Sequence, residues 1–261
     1  MKNSQENIAV CFTADFRYLY KNFSRIYSQL LNQGKYSGEV LVITSTFSPT
    51  FLIPEIRKSK VVTVLRFPKI KFVKDAEKSL KSLSSKPNRH TTKRFQWQKL
   101  NLFKPEIKKW THIFYIDINM TIHHDINLIL DKKPINKIYA RSDGYPNYIR
   151  KLETQFDTTK EKYLELKNNY DLSITNYFQT GLLYFDTSII KEDTFHELIA
   201  LTNKYPISIT NEQGILNIFF IFIDQKYNEL PTKIGDKISY FYWNSLKNNT
   251  IITKSLKEQY K

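Results

Sequence analysis

The stretch Ile8–Leu31, IAVCFTADFRYLYKNFSRIYSQLL, changes periodicity at one point. Its first five residues, Ile8-Ala9-Val10-Cys11-Phe12, form a short apolar run that suits a buried strand. Thr13-Ala14-Asp15 then lead into a segment with Leu19, Phe23, Ile26, Tyr27, Leu30 and Leu31 at helical spacing, and Gly34 lies where that helix should stop. Val40-Leu41-Val42-Ile43 and Val61-Val62-Thr63-Val64-Leu65 repeat the buried-strand signal downstream. Strands alternating with helical stretches predict βαβ units and a mainly parallel sheet with helices on its faces.

Beyond this unit the pattern loosens. Lys69 to Arg94 carries nine basic residues against Asp75 and Glu77, which reads either as a solvated loop and helix face or as a loop facing an acceptor or membrane. A helix is expected near Phe95–Lys108, then a strand Ile113-Phe114-Tyr115-Ile116 ending in Asp117-Ile118-Asn119. A charged helix around Arg150–Asn168, an apolar strand Gly181–Phe185, a buried helix over Glu212–Phe222 and an aromatic, basic tail from Ile238 complete the chain.

The 261 residues are 41% hydrophobic and 25% charged, proportions of a globular protein rather than a disordered one. No repeat or Pro/Gly-rich linker marks a boundary, so one domain over 1–261 is expected, with a first half (1–125) and a second half carrying the tail (126–261). Forty basic residues against 25 acidic ones give a net charge of +15 and point to anionic partners without naming them. The lone Cys11 excludes an intramolecular disulfide framework and a cysteine-rich metal site. The first residues lack the apolar core of a signal peptide, and the apolar run Ile215–Ile223 is far shorter than a membrane span. A cytoplasmic protein is expected, either soluble or membrane-peripheral.

Asp117-Ile118-Asn119 is the first candidate for chemistry. In extended backbone, residues i and i+2 point the same way, so both side-chain oxygens can face one point. Such hard ligands suit Mg²⁺ or Mn²⁺, which would also bind a diphosphate; an acid capping a turn is the plainer reading. A calcium loop is excluded, because the glycine and glutamate positions of that loop are unmatched.

Five segments, in order, resemble glycosyltransferase family 8, which includes the bacterial lipooligosaccharide galactosyltransferases and the glycogenin-type enzymes. Val10 to Tyr18 is similar to that family's first strand and nucleotide loop. Lys99-Leu100-Asn101 with Ile113–Asn119 resembles its K-L … V-I-Y-L-D-x-D. Ala140-Arg141-Ser142-Asp143 resembles a donor-sugar strand, and Phe178-Gln179-Thr180-Gly181 the run F-N-[SA]-G. Glu212-Gln213-Gly214-Ile215-Leu216-Asn217 is similar to D-Q-D-x-L-N.

The resemblance implies a GT-A fold: one α/β domain with a Rossmann-like, mainly parallel mixed sheet, a nucleotide-binding half and an acceptor half. It further implies a retaining transferase that moves a hexose from a nucleoside-diphosphate sugar, UDP-linked, to a glycan or glycolipid. Thr13, Ala14, Asp15 and Arg17 would meet the nucleotide and Tyr18 would stack on its base, unless Tyr18 packs in the core. Asp117 and Asn119 would hold a divalent cation. Lys99, which could equally be a surface lysine, and Lys247 would contact phosphates. Asp143 and Gln179 would orient the donor sugar, although both residue types also cap and bridge. Glu212 and Gln213 would lie beside the anomeric carbon, or simply head a buried helix. A neutral amide is a feeble nucleophile, so front-face transfer with this pair stabilising an oxocarbenium-like state is favoured.

The chain departs from the pattern at Asn119, which replaces a second aspartate, and at Gly214, which replaces another. It departs again in Ser239–Lys247, where the metal-binding histidine is missing. His123 and His124 follow the strand too closely to fold back on Asp117. Metal dependence, with Mn²⁺ or Mg²⁺ as cofactor, is therefore the weakest implication. An inactive relative that binds sugar nucleotide or glycan is the alternative. A basic nucleic-acid-binding protein is another, and it lacks any helix-turn-helix, zinc-knuckle or RNP-like signature. Tyr240 to Trp243, interleaved downstream with lysines, suit either an anionic membrane surface or a packed strand before a solvated helix.

Overall fold

Along β1 (Ile8–Thr13), alternate side chains enter two different cores. Ala9 and Cys11 pack on one face, and Val10 and Phe12 on the other. Both faces are covered, which is why the strand reads as a continuous apolar run rather than an alternating one. The computed structural model describes residues 7–83, 94–142, 150–241 and 249–254. Asp143, Lys247 and part of the basic stretch and tail therefore lie outside the described residues.

In chain order, β1 is followed by α1 (Phe16–Asn32), β2 (Glu39–Ser45), α2 (Pro54–Lys58), β3 (Val62–Phe67) and α3 (Lys74–Ser82). Next come β4 (His112–Ile116), β5 (Met120–Ile122), α4 (Asn127–Leu130), β6 (Ile138–Ser142), α5 (Glu161–Asn169) and β7 (Phe178–Asp186). The chain continues through α6 (Thr194–Lys204), α7 (Glu212–Ile218), β8 (Tyr227–Glu229), β9 (Lys233–Ile234), β10 (Lys237–Phe241) and β11 (Thr250–Lys254). Seven strands form the main sheet in the order β3-β2-β1-β4-β7-β6-β8, and β5-β11-β10-β9 form a small second sheet. In the main sheet only β7 runs antiparallel to its neighbours, β4 and β6. This is the mainly parallel mixed sheet flanked by helices that the sequence predicts.

Helix α1 forms where its spacing places it. Asp15 is its N-cap, accepting a hydrogen bond from the Tyr18 amide at 2.8 Å, which contributes about 1 kcal/mol. Its buried stripe, Leu19, Phe23, Ile26 and Leu30, packs under the sheet; each side chain contributes roughly 1.5–3 kcal/mol relative to exposure. Met120, Ile122, Tyr240, Ile251 and Ile252 of the second sheet join this core. On the opposite face lie residues 94–110 with α5, α6 and α7.

Two expectations need correction. Residues Arg94–Phe103 and Pro105–Lys109 form 3₁₀ turns, not one α-helix. Asn101 bonds back to the carbonyl and side chain of Gln98, and Lys104, preceding Pro105, is extended. The charged helix is shorter, with a 3₁₀ turn at Leu152–Gln155 before α5. The tail contributes packed strands: Ile238, Ser239, Tyr240 and Thr250 to Thr253 are buried. Among the described residues, no helix is long and apolar enough to cross a membrane.

Candidate active site

From β1 the chain steps outward through β2 and β3, then returns to place β4 on the other side of β1. In such open sheets the carboxyl ends of the two strands at the reversal leave a crevice that no loop closes, and ligands bind there. A cleft of about 240 Å³ opens at this point. Thr13, Ala14, Asp15 and Tyr18 line it from the end of β1, and Asp117, Ile118 and Asn119 from the end of β4. Phe95, Gln96 and Lys99 line it from the 3₁₀ segment, and Lys254 from the end of β11.

The floor of the cleft is an ionic cluster. Lys99 is 4% exposed, which rules out the surface-lysine reading. Its Nζ lies 2.9 Å from Asp117 Oδ1 and 2.9 Å from Glu212 Oε1, and donates to the Thr180 carbonyl at 3.3 Å. Burial alone would lower the Lys99 ammonium, but Asp117 and Glu212 outweigh it and hold it above the ordinary lysine value. Burial would raise the Asp117 carboxyl, but Lys99, Lys254 and the Tyr115 hydroxyl hold it below the ordinary range. Tyr115 donates to Asp117 Oδ1 at 2.6 Å, and its phenol is raised well above normal by burial and by that carboxylate. Lys254 Nζ stands 3.7 Å from Asp117 Oδ2.

Backbone geometry sets these side chains. The Asp117 amide donates to the Gly181 carbonyl at 2.8 Å, locking the end of β4 to β7. A Cβ on Gly181 would lie 2.4 Å from Met120 Cε and 3.3 Å from Asp117 Oδ2, so a side chain there would displace the end of Met120 and crowd the Asp117 carboxylate. Glu212 heads α7 directly after Asn211, whose φ of 57° is strained for a side-chain-bearing residue. That turn is held by Ser208 Oγ, which donates to the Asn211 carbonyl, and by Asn211 Nδ2, which donates to Gln96. At Gly214 a Cβ would meet Ser208 Oγ at 2.6 Å and the Phe156 ring at 3.0 Å. An aspartate there would press on the ring and on the Ser208 hydroxyl that holds the turn.

Thr180 ties the pieces together: its hydroxyl donates to Glu212 Oε1 at 3.1 Å, and its amide donates to Gln213 Oε1 at 3.1 Å. Gln213 Nε2 donates to Gln155 at 2.7 Å, so both ends of this amide are engaged. Glu212 Oε2 is buried without a hydrogen-bond partner. Asn217, fully buried on α7, accepts from the Phe178 amide at 2.8 Å and donates to the Phe178 carbonyl at 2.9 Å. Asn217→Ala leaves both backbone groups unpaired in the core, and we expect a loss of about 2 kcal/mol in urea unfolding. A loss below about 0.5 kcal/mol would show that water or a neighbour takes over both bonds.

Seven residues singled out from the sequence therefore line one cleft: Thr13, Ala14, Asp15, Tyr18, Lys99, Asp117 and Asn119. Glu212 is joined to them through Lys99, and Gln213 through Thr180. Tyr18 is 48% exposed, which rules out core packing. Arg17 is exposed and Gln179 half-buried, and neither lines the cleft. His123 bonds to Thr253 at 2.8 Å, away from Asp117. Sequence reasoning missed Lys254, Thr180, Tyr115, Phe95 and Gln96. Thr180 and Tyr115 stood within recognised segments, whereas nothing in the local sequence marks Lys254.

No family model matches the chain, and no curated protein sequence does. Solved glycosyltransferases share its fold. Galactosyltransferase LgtC, solved with donor and acceptor sugar analogues, is 12% identical over 96% of this chain and 87% of that one, with a TM-score of 0.60. Mouse xyloside xylosyltransferase 1 is 10% identical over 97% and 98%, with a TM-score of 0.55. Core-mannan synthase A from Aspergillus fumigatus, in a Mn/GDP form, is 11% identical over 88% and 74%, with a TM-score of 0.56. The chain has the GT-A glycosyltransferase fold.

Proposed function

We propose that this GT-A chain is a retaining glycosyltransferase that takes a hexose from a nucleoside-diphosphate sugar, with UDP as the carrier, and delivers it to a glycan or glycolipid. The observation that carries the reading is the ionic cluster Lys99–Asp117–Glu212 set in the floor of the cleft at the sheet reversal. Buried charges are costly unless paired, and perturbed, charge-coupled groups set in a cleft mark a candidate functional site.

In this reading the nucleobase lies against Tyr18, whose half-exposed ring at the cleft wall offers a stacking surface. Asp15 both caps α1 and lines the same wall. The diphosphate reaches toward Asn119 and Lys254, and the sugar toward Lys99 and the carboxylates behind it. Glu212, buried behind Lys99, contributes negative charge to the floor of the cleft and so to the stabilisation of an oxocarbenium-like state. The Gln213 amide is held by Thr180 and Gln155, which suits a positioning group rather than an attacking one. These contacts support front-face transfer, in which the acceptor enters on the side the diphosphate leaves. Asp143, Gln179, Arg17 and Lys247 remain proposed donor contacts on the resemblance alone. The basic surface suits acidic glycans or lipid headgroups.

A divalent cation is a poor fit to the groups present. Asp117 Oδ1 already accepts from Tyr115 and Lys99, Oδ2 faces Lys254, and Asn119 supplies only a neutral oxygen. Among the described residues no group of three His, Cys, Asp or Glu side chains comes together.

The test is thermal unfolding with UDP, GDP, CDP and ADP, GDP being included because a neighbour of this fold carries it. A ligand at 100 times its Kd stabilises by about 2.7 kcal/mol, a shift of several degrees. We expect that shift with UDP and a smaller one with the others, followed by UDP release from one UDP-hexose. No shift with any nucleotide, either with or without Mn²⁺, would sink the transferase reading in favour of a non-catalytic GT-A protein.

A further inference from the structure

The wall of the cleft beside Asp117 holds a cation of the protein's own. Lys254 ends β11, which pairs antiparallel with β5 so that Lys254 lies opposite Met120, the residue after Asn119. The register therefore delivers an ammonium to the turn that carries Asp117 and Asn119. Its Nζ is 3.7 Å from Asp117 Oδ2, too long for a hydrogen bond, and its side chain is 22% exposed in the cleft lining. Among the described residues, Lys99 and Lys254 stand as two ammonium groups against the carboxylates of Asp117 and Glu212. A dication added at Asp117 would stand against two ammonium groups with one carboxylate and one amide to hold it, whereas a diphosphate would meet Lys254 with its own negative charge.

We propose that Lys254 takes the place of a divalent cation in this cleft, so that the nucleoside diphosphate is held by a built-in ammonium and binds without metal. The inference rests on the transferase reading above. It assigns the phosphate-facing charge to a residue that none of the recognised segments contains. An ammonium is a point charge with three rotatable donors, which suits an oxygen-rich group that arrives and departs in each turnover.

The test is calorimetric titration of UDP and GDP into the full chain, once in EDTA and once in Mn²⁺, with the Lys254→Met, Lys254→Gln and Lys254→Arg variants. For the wild type, the Kd of the preferred nucleotide should agree within about threefold in the two buffers, since no counter-ion is to be supplied. In EDTA, Lys254→Met and Lys254→Gln should weaken binding about tenfold or more, and Lys254→Arg should stay near wild type, because charge rather than shape is at stake. Two neutral replacements guard against one of them perturbing the strand, and each melting midpoint is recorded first. Binding that vanishes in EDTA and returns with Mn²⁺ would overturn the inference while leaving the transferase reading standing. A wild-type Kd in both neutral variants would overturn it equally. Failure of both nucleotides to bind in either buffer would remove the transferase reading and this inference together.

Discussion

Replacing Lys99 with methionine is expected to cost about 3–5 kcal/mol of stability, the range seen when one partner of a buried ion pair is removed. Met fills nearly the same space, so the loss is electrostatic. Asp117 and Glu212 each approach the same Nζ at 2.9 Å, and without it the buried Glu212 and the cleft-lining Asp117, which keeps Lys254, lose their shared counter-ion. For a chain of this size the melting midpoint should fall by roughly 10 °C. The pH dependence separates this cause from a packing defect. In the wild type, Lys99 is held above its ordinary value, so its contribution is complete below about pH 10.4 and is lost as pH rises through the folded pKa. Asp117 is held below its ordinary value, so its contribution is present above about pH 3.9 and is lost as pH falls through the folded pKa. Across neutral pH the two leave stability flat. In the variant Asp117 loses its main counter-charge and its carboxyl rises, so the folded state holds that proton more readily and stability increases from pH 8 toward pH 5. Urea unfolding at both pH values checks this. Equal stability of variant and wild type would mean that Lys99 is not the counter-ion.

Asp117→Asn is expected to lower turnover by 10²-fold or more while leaving the fold intact. The amide keeps an acceptor for the Tyr115 hydroxyl, and Lys99 keeps Glu212. What is lost is the charge that fixes both lysines at the floor and wall of the cleft. Displacement of such groups by about 1 Å can cost 10²-fold in rate. UDP affinity should be retained, because the ammonium of Lys254 is still present. UDP release from the hexose donor, measured beside calorimetric affinity, separates the two effects. A variant that turns over like the wild type would take Asp117 out of the site. A variant that also loses UDP would make Asp117 a binding residue, as a metal ligand would be.

The parts of the molecule that could be read from the chain are those whose physics is local. Ile8–Phe12 is apolar on both faces because both faces are covered, and Asp15 caps the helix that Leu19, Phe23, Ile26 and Leu30 then bury. Asp117 is legible because an acid after a buried strand must emerge at a sheet edge, and in α/β sheets that edge is where ligands sit. The ordered segments from Val10 to Asn217 therefore carry the fold, and they carry the line of residues along the cleft.

Partnership across the chain is not local, and the sequence is silent on it. Lys99 has the same sequence context whether it is solvated or buried; only the antiparallel placement of β7 and the strained turn at Asn211 bring Glu212 to it. The 3₁₀ winding of Arg94–Phe103 is hidden because residues 97–103 are all buried and leave no amphipathic pattern to read. Lys254 is separated from Asp117 by more than half the chain and reaches it through the pairing of β11 with β5. The sequence by itself determined a βαβ sheet, the cap of its first helix and one acid at a strand end. The tertiary structure alone decided which charges face that acid, because a charge's partner is set by which strand ends are packed together, and no spacing along the chain encodes that.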